Sequence, residues 1–290
     1  MASLGGGADC HDQSMVVTDG LLRDLAAWLT QVPGVVGVLL GGSRARGDHM
    51  PDSDVDLGLY YRPPLDVAAL AELAREVAGP QARVTQPGEW GPWVDGGGWL
   101  TIAGTAVDWI YRDLDRVWTA WQDAQRGRFR FHAQVGNPLG VPDFAYAGEV
   151  ALGVVLADAT GELASLQRRT SAYPRALADT LVQGLWEATF LIDIARKAVS
   201  RADTSYVAGC LFRVVGLCAH ALHGYAGRWL INEKGAVASA GRVDVAPADF
   251  AARAHGVLAH VGSSPAELAA ALEAAAELVR ETAAACQPSR

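Results

Sequence analysis

Cysteine is scarce in this sequence, and its few copies form no pattern typical of a metal site or a disulfide framework. The four cysteines are Cys10, Cys210, Cys218 and Cys286, and no two of them make a C-x-x-C pair. Cys210 and Cys218 lie eight residues apart, on about one side of a predicted helix, which is typical of small core residues. Zinc binding and a disulfide scaffold are therefore not expected.

Long apolar segments and a secretory signal are also missing. No apolar run approaches the length that spans a bilayer. Residues 1–14 are rich in small residues and lack the basic start and apolar centre of a signal peptide, so we expect a disordered N-terminus. These absences predict a cytoplasmic protein that has no membrane partner.

Positive charge is scarce relative to negative charge. The 290 residues include 24 Lys and Arg against 32 Asp and Glu, which gives a formal net charge of −8. Long nucleic acids are held by clustered lysine and arginine side chains, so a long nucleic acid is not an expected partner. A small or cationic partner suits an acidic protein better.

The most informative stretch begins after a short, β-branched apolar segment, Val35–Leu40, which predicts a buried strand. Gly42 follows it, and the missing side chain would let a phosphate approach the backbone. Ser43 adds a hydroxyl group at the same place. A second strand, Val55–Tyr61, is predicted shortly afterwards. The stretch therefore predicts an anion-binding turn between two strands.

Two acids lie at the start of that second strand. Because side chains alternate across a strand, Asp54 and Asp56 point to the same side. Neighbouring carboxylates repel each other unless a cation lies between them, and Mg²⁺ prefers oxygen ligands. The pair predicts a metal clamp, with acids that merely cap a loop as the alternative. Asp108 lies in another apolar strand and also needs a partner, either this site or backbone donors.

This arrangement resembles the signature of the DNA polymerase β-like nucleotidyltransferase superfamily: Gly-Ser, about ten residues, then Asp-x-Asp on the next strand. Gly42-Ser43 and Asp54-Val55-Asp56 match it. The resemblance implies that Asp108 is the third acid and that the three acids hold Mg²⁺, with two ions expected. ATP or another NTP would be the substrate. The implied phosphate contacts and charge partners are Gly42, Ser43, Ser53, Arg44, Lys197 and Lys234.

The second half of the chain is predicted to be almost entirely helical. The expected fold is therefore α+β: a small mixed-sheet domain over residues 15–155, followed by an α-helical bundle over residues 156–290. This layout resembles the nucleotidyltransferases that modify aminoglycoside or lincosamide antibiotics. Some of them have an acid four residues before a lysine on the first long bundle helix, as Asp193 and Lys197 are here. Others have a lysine after the second helix, which Lys234 resembles.

The resemblance implies transfer of a nucleoside monophosphate, with AMP expected, from an NTP to a hydroxyl of a small molecule such as an aminoglycoside-like antibiotic. Asp193 is the preferred general base, with Glu187 and Asp108 as alternatives. Instead of a catalytic role, Asp193 could form only a surface ion pair with Lys197. We expect the acceptor between the domains, beside Trp186 and Phe190. The remaining hypotheses are an antitoxin-type enzyme that modifies a protein, and a nucleotide sensor without catalysis. The oligomeric state is left open.

Overall fold

The computed structural model describes residues 17–47 and 53–287. The predicted disordered segment 1–14, and residues 48–52 of the motif, lie outside the described residues. The strands are β1 (Val35–Leu40), β2 (Val55–Tyr61), β3 (Gly97–Ile102), β4 (Thr105–Asp113), β5 (Phe131–Gln134), β6 (Asn137–Pro142) and β7 (Val154–Asp158). The helices are α1 (Asp19–Leu29), α2 (Gly42–Arg46), α3 (Val67–Ala78), α4 (Leu114–Ala124), α5 (Ala145–Leu152), α6 (Glu162–Thr170), α7 (Arg175–Gln183), α8 (Leu185–Arg196), α9 (Thr204–Tyr225), α10 (Ala236–Ala240), α11 (Phe250–Ala259) and α12 (Pro265–Ala285).

The described strands form a five-stranded sheet in the order β3-β4-β2-β1-β7 and a separate β5-β6 hairpin. β2 and β4 are parallel, whereas the other neighbours in the large sheet are antiparallel. The strands are followed by helices, so the fold is a mixed sheet with a helical C-terminal region. This confirms the predicted α+β fold class.

Alternation along β2 and β4 gives the sheet one continuous apolar face. Leu57, Leu59 and Trp109 are fully buried there and pack with residues of α1 and α3. On the opposite face, Tyr60 near the end of β2 packs with residues of α4, α5 and α6. Burying one apolar face against helices fixes the register, because a shift by one residue would exchange the two faces. The acids at the start of β2 therefore lie on the second face.

The turn between β3 and β4 fixes a second register. Ala103 and Gly104 have φ values of 50° and 76°, as a two-residue type I′ hairpin turn requires. Ile102 pairs with Thr105 across this turn, and the same register places Trp99 opposite Asp108. The position of Trp99 beside the acid therefore follows from the turn.

The sheet-containing part extends further along the chain than expected. The boundary predicted between residues 155 and 156 falls inside β7, which pairs with β1. Leu163 and Leu166 of α6 belong to the same core as Tyr60, so this part of the molecule continues through α6. The first long bundle helix expected around Asp193 is instead two helices, because α7 ends and α8 begins at Gly184.

The helical part is arranged around α9, which contacts α7, α8, α10, α11 and α12. In the described part of the chain, α9 is one helix whose length and composition would allow it to cross a membrane. The prediction that no apolar run approaches that length was therefore wrong for this helix. However, 61% of its apolar window is buried inside the protein, which is typical of a core helix.

Candidate active site

Three acids come together at the start of β2 and in the middle of β4. Asp56 and Asp108 are paired directly across these parallel strands, so their side chains project from the same face of the sheet. Asp54 is two residues before Asp56 and is exposed, whereas Asp56 and Asp108 are half-buried. The pairing predicted from the sequence, with Asp108 on a neighbouring strand, is what the structure contains.

The electrostatics of Asp108 reflect this grouping. Burial, followed by the negative charges of Asp56 and Asp54, raises the pKa of Asp108 to about 6. Each of these influences penalises the ionised carboxylate. Asp108 is therefore coupled to the two motif acids, as expected of a shared site, and a cation between the carboxylates would relieve the repulsion.

The glycine turn packs directly against one of these acids. The N–H of Gly41 donates to the carbonyl oxygen of Asp56 at 2.8 Å, which extends the β1-β2 pairing by one bond. Gly42 has a φ of 64°, and a Cβ built on it would overlap Oδ2 of Asp56. Glycine is thus required here both by its backbone conformation and by the carboxylate beside it. Ser43 follows in the first turn of α2.

Arg44 connects the turn to the acids through the backbone. Its Nε and Nη2 atoms donate to the carbonyl oxygen of Ser53, at 3.2 and 2.9 Å. Ser53 immediately precedes Asp54, so these two hydrogen bonds connect α2 to the residue before the motif acids. We predicted Arg44 as a phosphate partner; the contacts of its guanidinium indicate that it positions the motif.

Asp193, the preferred general base, lies in an exposed ion pair of the helical bundle. Asp193 is 58% exposed, and its carboxylate accepts from Nη1 of Arg196 at 2.7 Å. The Nη2 atom of Arg196 binds Glu273 of α12 at 2.8 Å, so Asp193 belongs to an ion-pair network between two bundle helices. Asp193 thus forms a surface ion pair, the alternative given above, but with Arg196 three residues on and not with Lys197, which follows the last residue of α8.

The other bundle residues lie in different surroundings. Glu187, an alternative base, binds Nε of Arg213 at 2.5 Å. Lys234 is exposed, in a turn whose Glu233 accepts the backbone N–H of Leu139 at 2.8 Å. This turn therefore touches the β5-β6 hairpin, and a role of Lys234 at the triphosphate stays a prediction, as does that of Lys197.

Sequence reasoning missed Trp99, the partner of Asp108 on β3. Counting back from a two-residue turn at Ala103 and Gly104 would have placed Trp99 opposite Asp108. Trp99 is 72% exposed and stacks on Trp90, with ring centroids 4.3 Å apart.

The donors at this site suit magnesium better than a metal that needs a closed protein cage. In residues 17–47 and 53–287, no three His, Cys, Asp or Glu side chains form a ready-made metal cluster. Mg²⁺ commonly uses one or two carboxylates, several waters and the phosphates of a substrate. Asp54, Asp56 and Asp108 offer only oxygen ligands, and their charges act on one another. This donor set fits Mg²⁺ bound together with a triphosphate.

Part of the chain is similar to a known protein family. Residues 23–84 match the family model of the nucleotidyltransferase domain. This segment of the chain therefore resembles a nucleotidyltransferase domain. A solved structure that resembles the chain is a nucleotidyltransferase-like protein from Exiguobacterium sibiricum 255-15, with 11% identity and a TM-score of 0.45 over 89% of this chain and 74% of that one. No curated protein sequence matches the chain.

The family match covers the glycine turn and the two motif acids. It begins within α1 and includes β1, α2 and β2, and thus Gly42, Ser43, Asp54 and Asp56. Asp108 lies beyond the matched residues, so its place in the site depends on its pairing with Asp56. The nucleotidyltransferase domain supports a general nucleotide-transfer activity.

Proposed function

We propose that this protein transfers a nucleoside monophosphate from an NTP to a hydroxyl group of a small molecule, with pyrophosphate as the second product. The observation that carries the proposal is the direct pairing of Asp56 with Asp108, with Asp54 at the strand start. Nearby, Gly42 packs directly against Oδ2 of Asp56, which brings the start of α2, where a triphosphate would lie, beside the acids. ATP is the proposed donor.

Magnesium is the proposed cofactor. Asp54, Asp56 and Asp108 would hold it, as their oxygen donors and mutual repulsion favour. When bound, Mg²⁺ neutralises charge on the triphosphate and on the oxygens of the in-line displacement. The protein supplies orientation: Arg44 fixes the loop before Asp54, and the β2-β4 pairing fixes the separation of Asp56 and Asp108.

In the proposed reaction, the acceptor hydroxyl oxygen forms a bond to the α-phosphorus of the NTP. The bond between that phosphorus and the pyrophosphate oxygen breaks, and pyrophosphate leaves with its electron pair. The hydroxyl proton passes to a carboxylate. Asp108 is the proposed acceptor of this proton, because strand pairing places it beside the motif acids and on the side of the sheet order away from α2.

The acceptor is proposed to be small and uncharged or cationic. Asp54, Asp56 and Asp108 give the site a concentrated negative charge, which disfavours an anionic acceptor. Aminoglycoside-like antibiotics satisfy this requirement and belong in the first set of acceptors to test.

The direct test is pyrophosphate release from each of the common NTPs with Mg²⁺, with and without a panel of hydroxylated small molecules. We expect release that depends on both Mg²⁺ and an acceptor, and a product heavier than the acceptor by one nucleoside monophosphate. Binding of Mg·NTP by calorimetry serves as the parallel measurement. An NTP that binds without any release, across the full panel, would indicate a nucleotide sensor instead.

A further inference from the structure

A tryptophan lies in line with the acids across the sheet. Asp56, Asp108 and Trp99 occupy paired positions on β2, β4 and β3. Paired residues project from the same face of a sheet, and neighbouring strands are about 4.8 Å apart. The side chain of Trp99 therefore begins one strand away from that of Asp108, on the face of the sheet where the proposed reaction takes place.

The ring of Trp99 is held in place on one side and open elsewhere. It stacks on Trp90 with an interplanar angle of 14° and remains 72% exposed. Trp90 lies on the Gly97 side, because a Cβ on Gly97 would come within 3.0 Å of its Cη2. In the other direction along the strands lie Thr101 and Ala106, which are paired, small and exposed. The second face of the Trp99 indole is therefore flanked only by these two small side chains, which leave space for another ring.

The order of the strands separates this ring from the phosphate side. α2 and Gly42 follow β1, whereas Trp99 is on β3, at the opposite end of the order β3-β4-β2-β1. A triphosphate placed at α2 and at Asp56 leaves Asp108 and Trp99 facing the molecule that attacks it. The open face of Trp99 therefore lies on the acceptor side of the proposed reaction.

We infer that Trp99, supported by Trp90, is an acceptor-binding residue that stacks on a planar aromatic or heteroaromatic ring, uncharged or cationic, that carries the hydroxyl to be modified. This inference rests on the proposed function, which leaves the acceptor broader. Stacking uses the large apolar face of the indole, and the acids beside it add attraction for a cationic ring. A nonplanar aminocyclitol offers no such face.

Calorimetric titration with tyramine, a cationic phenol, tests the stacking without requiring turnover. We expect binding to the wild-type protein, at least about tenfold weaker binding to Trp99→Ala, and near-normal binding to Trp99→Phe, which keeps an aromatic face. The saturated cyclohexanol analogue of tyramine should bind the wild-type protein at least about fivefold more weakly than tyramine does. Trp28→Ala is the matched control, since Trp28 is 43% exposed on α1, a helix that packs on the opposite face of the sheet.

Other results would overturn the inference. Absence of tyramine binding at about 10 mM, equal binding of the saturated analogue, or a loss caused by Trp28→Ala would each contradict it. Titration of Mg·ATP is the second measurement: a tenfold loss of nucleotide affinity in Trp99→Ala would assign the ring to the nucleobase instead. Nucleotide binding by the wild-type protein is judged separately. If it is absent, the proposed function fails; if it is present while tyramine binding does not depend on Trp99, only this inference fails.

Discussion

Two acidic regions of this molecule look alike in sequence and differ in physical setting. At the sheet, Asp56 and Asp108 face each other from parallel strands, and burial with neighbouring charges raises the pKa of Asp108. On the bundle, Asp193 is mostly exposed and already has a cationic partner, Arg196. In the first region, burial and two neighbouring negative charges penalise the ionised form of Asp108, whereas in the second the charge of Asp193 is balanced by an arginine on the same helix.

This difference separates a candidate catalytic acid from an ordinary surface acid. An exposed ion pair contributes little to stability and has a satisfied partner. Half-buried carboxylates held side by side are costly to the folded state, and such an arrangement is typical of functional sites. The comparison therefore moves the proposed chemistry from Asp193 to the sheet, where it can be tested by removing one charge at a time.

The largest expected effect is that of Asp56→Asn. Removing one of the paired carboxylates should lower Mg²⁺-dependent pyrophosphate release by at least about 100-fold, because ligand charge is lost where the triphosphate binds. Steady-state rates at saturating NTP, with circular dichroism to verify folding, provide the measurement. Asp179→Asn is the matched control, since Asp179 is an exposed acid of α7 bound to Arg175. Equal losses in the two variants would remove the distinction between the regions.

The sheet was easier to predict from the sequence than the helical bundle. Local signals were sufficient for the sheet and the helices on it. Thr18 and Asp66 cap α1 and α3, and the alternation around Asp56 predicted the correct face of the sheet for its side chain. The bundle was harder, because helical periodicity places a residue on a face but does not choose its partner. Asp193 could pair with an arginine three residues away or a lysine four away, and only packing against α12 decides this.

The next effect concerns the backbone beside Asp56. Gly42→Ala places a methyl group where Oδ2 of Asp56 lies, so we expect the carboxylate to move and activity to fall about tenfold or more. Gly47→Ala is a closely matched control: Gly47 has a φ of 73°, and a Cβ there would meet nothing within 4 Å. Both variants should lose about 1 kcal/mol of unfolding free energy from backbone strain. Activity should fall only in Gly42→Ala; an equal fall in Gly47→Ala would make the effect one of general strain.

A smaller effect, on stability, is expected from Asp108→Asn in metal-free protein. The folded-state pKa of about 6 exceeds the ordinary value of 3.8, so the folded state binds the proton more tightly. The stabilisation that this provides is complete below about pH 4 and is lost as the pH rises through about 6. The variant should therefore match wild type near pH 4 and exceed it by about 1 kcal/mol at neutral pH, after allowance for solvent screening.

Chemical denaturation in EDTA across this pH range measures the difference. Adding Mg²⁺ with a non-hydrolysable NTP should stabilise the wild-type protein more than Asp108→Asn, because the ligand binds the folded state with all its carboxylates. A variant that is less stable than wild type at neutral pH would show that Asp108 has a stabilising partner. It would then be a structural acid, and the contrast with Asp193 would disappear.

The smallest expected effect is that of Asp193→Ala. Its carboxylate is exposed and bound to Arg196, which keeps a second carboxylate partner in Glu273. Loss of one exposed ion pair should cost less than about 1 kcal/mol of unfolding free energy. Turnover should stay within about twofold of wild type with every acceptor that supports reaction, since a surface ion pair does not enter the chemical step. A fall in turnover of tenfold or more, with unchanged NTP affinity, would restore Asp193 as the general base and would require the acceptor to reach α8.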